Sequence, residues 1–294
     1  MTINQPALEN IQGYIWLDGQ FVEWHDAKIH VLTHSLHYGG SVFEGEKSFN
    51  GKIFKVKEHT QRLLQSAKCM KLHIPYSVDE IISSSHELLK KNNLLNAYVR
   101  PMAWRSTDAL MVRLQNPVTH LMIAAWEPRR KVSESAHNLV VSKWRKPSDD
   151  AFPVQCKSSS QYAMFAVCVQ EAVDSGYDDA LLLDKNGFVA ECTTSNIFFV
   201  KGNSLVTPKT SFCLNGITRQ TVIGLALRMG LEVTEKDMLP DEMTNFEDCF
   251  ITGTASGLKS IGSITYEGKK SNYEASEIFN SLKSKYQNLV TEAT

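Results

Sequence analysis

The chain has almost no net charge. Its 31 lysines and arginines nearly cancel its 32 aspartates and glutamates, leaving −1 over 294 residues. Such a balance gives no long-range field for nucleic acid or an anionic membrane, so a small molecule is the expected ligand. No apolar run is long enough to cross a bilayer. Met1 to Asn10 hold no basic stretch followed by an apolar one, so no secretory signal is expected. The six cysteines (Cys69, Cys156, Cys168, Cys192, Cys213 and Cys249) form no CxxC pair. They read as reduced, mostly buried thiols of a cytoplasmic protein. Internal repeats and low-complexity tracts are lacking. So is a Gly-x-Ser-x-Gly elbow, which argues against a serine hydrolase built on Ser158-Ser159-Ser160. What is present is ordinary: 43% hydrophobic and 21% charged residues, at a length that suits one large domain or two modest ones.

Periodicity supplies the organisation. Residues 14–17 and 21–24 read as strands around an Asp18-Gly19 turn, and 52–56 as a further strand. Apolar positions recur at helical spacing over 57–70 and 78–91. Residues 97–102 are strand-like, with Pro101 marking an edge or an irregularity, and 121–126 form a short apolar run. The texture then turns charged and small, which places the boundary between a domain at 1–127 and one at 138–294, joined by a loop at 128–137. In the second part 139–144 opens a strand set, and a helix over 161–175 closes at Gly176. Hairpins follow over 180–192 and 196–207, and a helix runs from Asn215 to about Met229. The pattern is that of two α+β domains.

Several residues stand out chemically. Gly216-Ile217-Thr218 lies where a loop becomes a helix; unpaired N–H groups and the helix dipole there favour an anion. Gly253-Thr254-Ala255-Ser256-Gly257 is a second small-residue turn able to cradle one. Taken singly, a plain capped helix and a plain loop are the simpler readings. Lys157 follows a strand-like stretch, precedes a helix and is flanked by small residues. A lysine that forms a Schiff base needs such a partly desolvated place, whereas most lysines are solvated surface charges. Tyr162, five positions on, is placed to bond a cofactor hydroxyl. Strand alternation sends Glu191 and Val189 to one face. A buried carboxylate there needs a partner, either an ion pair or a protonated ring nitrogen. His30, His34 and His37 fall at i, i+4 and i+7, but no helix start or further ligand accompanies them, so they read as core or supporting histidines rather than a metal site.

Read together and in order, these segments resemble the class IV (fold type IV) pyridoxal-phosphate aminotransferases, and within them the branched-chain amino acid aminotransferases. The resemblance covers nearly the whole chain. It rests on seven motifs: residues 37–45 (HYGGSVFEG), Glu58-His59-x-x-Arg62-Leu63, Tyr98-Val99-Arg100-Pro101, Lys157 with Tyr162, Glu191 with Asn196, residues 214–219 (LNGITR), and Gly253-Thr254-Ala255. It implies an α+β, fold type IV architecture of two domains and the cofactor pyridoxal 5′-phosphate. By the same resemblance Lys157 carries the Schiff base and moves the proton, Glu191 faces the ring nitrogen, and Tyr162 bonds the ring hydroxyl. Asn196 belongs to the cofactor set. Arg62, the Ile217 and Thr218 amides and the Thr254 hydroxyl hold phosphate. Tyr98, Arg100, Thr254 and Ala255 handle the substrate carboxylate, and Phe43, Tyr38 and Tyr98 wall an apolar side-chain pocket. The implied reaction is ping-pong transfer between L-leucine, L-isoleucine or L-valine and 2-oxoglutarate, in a homodimer or larger homo-oligomer.

The chain departs from the family pattern in places that bear on substrate choice. Pro128-Arg129-Arg130-Lys131 stands where Trp-Gly-x-Tyr is usual, and residues 108–112 lack the usual glycines. Ser256-Gly257-Leu258-Lys259 replaces Ala-Glu-Val/Ile-Thr, and Lys47 stands where Arg is common. The alternatives are a D-amino acid or amine transaminase of the same fold, an aminodeoxychorismate lyase on the same scaffold, or a non-catalytic binding protein. The Phe43-Glu44-Gly45 and Tyr98-Val99-Arg100 motifs argue against the first. The second needs a large ring pocket that nothing in the sequence marks. The intact Lys157, Tyr162, Glu191 and Arg62 argue against the third.

Overall fold

The computed structural model describes residues 10–106, 111–113, 117–128 and 135–292. Most of the departing loops at 106–112 and 127–137, Arg129 to Lys131 included, lies outside the described residues. The chain divides into two units, Met1–Val132 with Cys156–Gln161 and Val290–Thr294, and Ser133–Gln155 with Tyr162–Leu289. Both mix helices with sheet, as an α+β chain should.

In the first unit β1 (Tyr14–Leu17) and β2 (Gln20–Glu23) pair across Asp18 and Gly19. Both turn residues have positive φ, 48° and 89°, which matches the right-handed twist of a two-residue hairpin. There follow α1 (His34–Tyr38), β3 (Ser41–Phe43), β4 (Glu46–Phe49), β5 (Lys52–Ile53), α2 (Val56–Cys69), α3 (Val78–Lys91), β6 (Tyr98–Arg105) and β7 (Thr119–Trp126). One seven-stranded sheet results, in the order β2-β1-β7-β6-β4-β5, with β3 also on β6. The strand expected over 52–56 stops at Ile53. Phe54 turns to donate its N–H to the Lys47 carbonyl (3.0 Å), and Lys55, in left-handed conformation, starts α2. α3 begins at a capping box in which Ser77 and Glu80 satisfy each other's backbone N–H. Pro101 is not on an edge: β6 pairs with β7 on one side and with β3 and β4 on the other. It falls at the break between β3 and β4, where its carbonyl accepts from the Glu44 N–H (2.8 Å) and no N–H is required of it.

The second unit contains β8 (His137–Arg145), most of α4 (Ser159–Asp174), β9 (Asp179–Leu183), β10 (Val189–Cys192), β11 (Asn196–Lys201), β12 (Ser204–Pro208), α5 (Ile217–Arg228), β13 (Glu232–Lys236), β14 (Asp248–Gly253), β15 (Gly257–Tyr266), β16 (Lys269–Asn272) and most of α6 (Glu277–Glu292). The strands form a nine-stranded sheet, β10-β9-β8-β15-β14-β11-β12-β13, with β16 on β15. Alternation along β9 divides its core. Leu181 and Leu183 pack with Ile197, Phe199 and Ile264. Ala180 and Leu182 pack with Phe165, Cys168 and Ala172 of α4. Simple alternation fails in β10: Val189 pairs with Leu183 but Glu191 with Leu182, so a bulge separates Val189 from Glu191.

Candidate active site

Lys157 belongs to the first unit, where the segment that carries it is pinned by the backbone. Its N–H donates to Ser66 Oγ of α2 (3.0 Å), and its carbonyl accepts from the Phe43 N–H (3.2 Å). Ser158 bridges to Val42, and the Ser159 hydroxyl meets that of Ser41 at 2.6 Å. The side chain is thereby aimed at the end of β3, with Nζ 5.0 Å from the centre of the Phe43 ring. Burial, reinforced by the Arg62 and Arg100 cations and opposed by Glu44 and Tyr98, lowers the amine to about 8.

Arg62, on α2, is fixed by Glu44. Its Nε donates to Oε1 at 2.6 Å and its Nη2 to Oε2 at 2.8 Å, a two-pronged pair on a carboxylate with no solvent exposure. His59 Nδ1 meets the same Oε2 at 2.7 Å. Glu44 is held well below the usual carboxylate range: burial alone would raise it, but Arg62 and His59 outweigh burial. His59 is itself lowered, chiefly by burial. Glu46, two residues on, is also fully buried, with neither carboxylate oxygen hydrogen-bonded. Burial, and then the Glu44 charge, raise it far above the usual range.

Tyr98 and Arg100 are i and i+2 on β6 and so share a face. Arg100 Nη2 donates to Tyr98 Oη (2.7 Å), and the guanidinium lies 4.5 Å from the Phe43 ring centre. The Tyr98 ring packs on Trp126 at 5.0 Å. Gly45 is required here, because a Cβ at that position would overlap Tyr98 Oη. The structure thus gathers Lys157, Phe43, Arg62, Tyr98 and Arg100. Tyr38 lies at the end of α1, 43% exposed, with its ring on His34.

The second unit holds the other candidates. Glu191, buried on β10, receives the Lys146 ammonium on Oε1, the Asn196 amide on Oε2 (3.3 Å) and the Leu214 N–H (3.3 Å). Asn196 also donates to the Leu214 carbonyl (2.8 Å), which ties the strand to the loop entering α5. A Cβ on Gly216 would overlap Asn196 Oδ1, so the helix start needs glycine there. Ile217 and Thr218 form the first turn of α5, which has no side-chain cap, so its amides face outward as an anion site requires. Gln155 braces the loop by donating to the carbonyls of Thr210 (2.7 Å) and Cys213 (2.9 Å) and accepting from the Asn215 N–H (3.0 Å). Tyr162 sits in the first half of α4 with its ring edge-on to Phe165 at 5.2 Å. Thr254 and Ala255 form the turn between β14 and β15, Ala255 exposed.

A family model described as amino-transferase class IV matches residues 41–264. The chain belongs to that family. It is 47% identical over 285 residues to the probable branched-chain-amino-acid aminotransferase of Rickettsia felis, covering 97% of this chain and 98% of that one. Among solved structures it is similar to the branched-chain aminotransferase of Thermoproteus uzoniensis with norvaline: TM-score 0.90, 31% identity, 96% of this chain and 95% of that one covered. It is similar also to the T.th. branched-chain amino acid aminotransferase complexed with N-(5'-phosphopyridoxyl)-L-glutamate: TM-score 0.89, 34% identity, 96% and 95% covered.

Sequence reasoning about this aminotransferase missed Lys146, Glu44, His59, Ser66 and Gln155 as parts of the machinery. Lys146 hides in the run Lys143-Trp144-Arg145-Lys146, which reads as solvated charge. Glu44 and His59 lie inside the quoted motifs, yet nothing local tells that they clasp Arg62. Of the three spaced histidines, His34 is buried while His30 and His37 are exposed.

Proposed function

We propose that the chain exchanges amino groups between L-leucine, L-isoleucine or L-valine and 2-oxoglutarate, using pyridoxal 5′-phosphate. The observation that carries this reading is the Lys157 amine, lowered to about 8 and held against the Phe43 ring. An amine of that kind is nucleophilic near neutral pH. Each unit by itself offers groups that suit the cofactor: in the first an amine for its aldehyde and an arginine for its phosphate, in the second an uncapped helix start for the phosphate and a buried carboxylate for the ring nitrogen. When bound, the cofactor supplies the aldehyde and an electron-withdrawing ring.

The residues divide the work as follows. Lys157 would hold the aldehyde until the substrate amine takes its place, and its freed amine would then remove and return the proton at the substrate α-carbon. Arg62, the Ile217 and Thr218 amides and the Thr254 hydroxyl hold the phosphate, with Glu44 fixing the Arg62 fork. Glu191 would pair with the ring nitrogen and Tyr162 would bond the ring hydroxyl, while Asn196 keeps Glu191 and the α5 loop together. Arg100, with Tyr98 and the Thr254-Ala255 turn, receives the substrate carboxylate. Phe43, Tyr98 and Tyr38 wall the space for an aliphatic side chain. The names of the relatives and the glutamate adduct in one of them support the substrate pair.

We further propose a cytoplasmic homodimer or larger homo-oligomer. Ile29, Val31, Leu32 and Leu36 are 56%, 71%, 46% and 64% exposed, a concentration of apolar surface unusual for a monomer. Beside them lies an apolar cavity of about 680 Å³ lined by residues that include Ile15, Leu17, Trp24, Met102 and Met122. A second copy is the occupant expected to cover this face. Light scattering on wild type and on Val31→Glu/Leu36→Glu should show an assembly and its loss; a monomeric wild type would refute it. No helix among the described residues is long and apolar enough to cross a membrane.

The substrate reading is tested by mixing the cofactor-loaded enzyme singly with L-leucine, L-isoleucine, L-valine, L-glutamate and D-alanine. The visible absorbance of the lysine-bound cofactor is followed. The four L-amino acids should bleach it; bleaching by D-alanine alone would overturn the assignment.

A further inference from the structure

Glu191 is an expensive residue to bury, and the fold has provided for it twice over. Its side chain is 8% exposed and that of Lys146 1%, so the ion pair between them is almost wholly withdrawn from water. Lys146 comes from the residue after β8, where its N–H donates to the Leu183 carbonyl of β9 (2.8 Å). Its ammonium also lies 4.7 Å from the Phe165 ring centre, an aromatic face that suits a desolvated cation. Both carboxylate oxygens are engaged: Oε1 by Lys146, Oε2 by the Asn196 amide, with the Leu214 N–H reaching each at 3.4 and 3.3 Å. Removing one partner of a buried pair strands the other charge in a medium that cannot solvate it.

We propose that Lys146 is a positioning residue: its side chain is a resident counter-ion that holds the Glu191 carboxylate in place, and it would share that carboxylate with the ring nitrogen of the cofactor. The inference rests on the cofactor reading above. It assigns Lys146 a function of its own, since a protonated ring nitrogen and an ammonium are two cations on one carboxylate. Each weakens the hold of the other, because the charge that neutralises Glu191 need be supplied only once. Lys146 and the ring nitrogen are therefore thermodynamically coupled, and the coupling is antagonistic.

The test compares melting temperatures of wild type, Lys146→Met, Lys146→Arg and Lys146→Met/Glu191→Gln. Each is measured without cofactor, with pyridoxal phosphate, and with the 1-deaza analogue that lacks the ring nitrogen. Without cofactor Lys146→Met should melt roughly 6–20 °C below wild type, the loss expected for a stranded buried charge in a chain of this size. Lys146→Arg should recover most of that loss, and Lys146→Met/Glu191→Gln should melt above Lys146→Met. Pyridoxal phosphate should raise the melting temperature of Lys146→Met by more than it raises wild type, because the ring nitrogen now supplies the missing cation. The deaza analogue should not show that extra gain. A merely structural Lys146 would lower every condition equally, and equal gains from the two cofactors in Lys146→Met would overturn the proposal. If Lys146→Met does not fold, the double variant must, and a double variant that is also unfolded overturns it too. A wild type that pyridoxal phosphate neither stabilises nor colours would sink the cofactor reading and this inference with it. A wild type that responds, beside variants without the coupling, sinks only the latter.

Discussion

The amine of Lys157 should bind its aldehyde with a pH profile that only a desolvated lysine produces. At about 8, rather than the ordinary 10.5, roughly one amine in ten is neutral at pH 7 instead of one in several thousand, a gain of roughly 300-fold in the reactive form. Burial is the largest cause, with the Arg62 and Arg100 cations adding to it against the pull of Glu44 and Tyr98. The neutral amine is the nucleophile, so the rate of cofactor capture should rise with pH and level off above about 8.

Stopped-flow mixing of the cofactor-free chain with pyridoxal phosphate, from about pH 6.5 to about pH 10, reads this midpoint directly. Phe43→Ala is the informative perturbation. It removes the 8%-exposed ring that stands 5.0 Å from Nζ and admits water to the amine. Solvation favours the charged form, so the midpoint should move up by about one unit and the rate at pH 7 should fall roughly tenfold. Lys157→Arg should leave the spectrum that of the free cofactor at every pH, with no lysine-bound band. A wild-type midpoint near the ordinary lysine value, or Phe43→Ala and wild-type profiles that superimpose, would refute the desolvation argument.

Glu44→Gln leaves the largely buried Arg62 guanidinium, 14% exposed, without its counter-charge and should cost about 3–5 kcal/mol, seen as a melting temperature lower by roughly 6–20 °C. Because the Glu44 carboxyl lies below its unfolded value, its stabilisation is present above about pH 4.3 and lost as pH falls towards the folded value. The acid-denaturation curve of Glu44→Gln should accordingly be flatter than wild type in that range, and equal slopes would count against the pair. Glu46→Gln should be nearly silent in melting temperature and turnover, because burial and Glu44 already favour the protonated acid; a loss as large as that of Glu44→Gln would show that Glu46 is ionised. Gly45→Ala should displace the Tyr98–Arg100 pair and lower kcat/KM for L-leucine roughly tenfold to hundredfold, measured in a coupled transamination assay; unchanged kinetics would show that the pair does not position substrate.

Local physics was readable in the sequence wherever one segment decides its own shape. The Asp18-Gly19 hairpin, the α3 helix opened by Ser77 and Glu80, and the loop-to-helix entry at Gly216 all follow from a few neighbouring residues. The readings that failed or stayed open needed a partner far along the chain. Pro101 marked an edge or an irregularity, and which of the two it is was decided by distant strands: it lies in a central strand, opposite the break between β3 and β4. The face of Glu191 was read from alternation, which a bulge against β9 interrupts. Lys146 and Glu44 reveal themselves only through Glu191, 45 positions on, and Arg62, 18 positions on. A charged residue in a sequence carries no mark of whether its counter-ion is water or another buried ion.

That distinction decides what each unit can do with an anion. In the first unit Glu44 is held low and cancels one cation, while burial lowers His59 and raises Glu46, favouring the neutral form of each. Arg62 and Arg100 together with one carboxylate leave a net positive charge around Lys157, whatever the state of the amine. Had Glu46 been ionised as well, the two carboxylates would have cancelled both arginines, and neither a phosphate nor a substrate carboxylate would find an attractive field there. In the second unit Glu191 is already paired with Lys146, so any further cation at that carboxylate would share it. The sign of the charge left over in each unit, positive beside the amine and balanced beside the buried acid, follows from which ions are paired and not from how many the sequence contains.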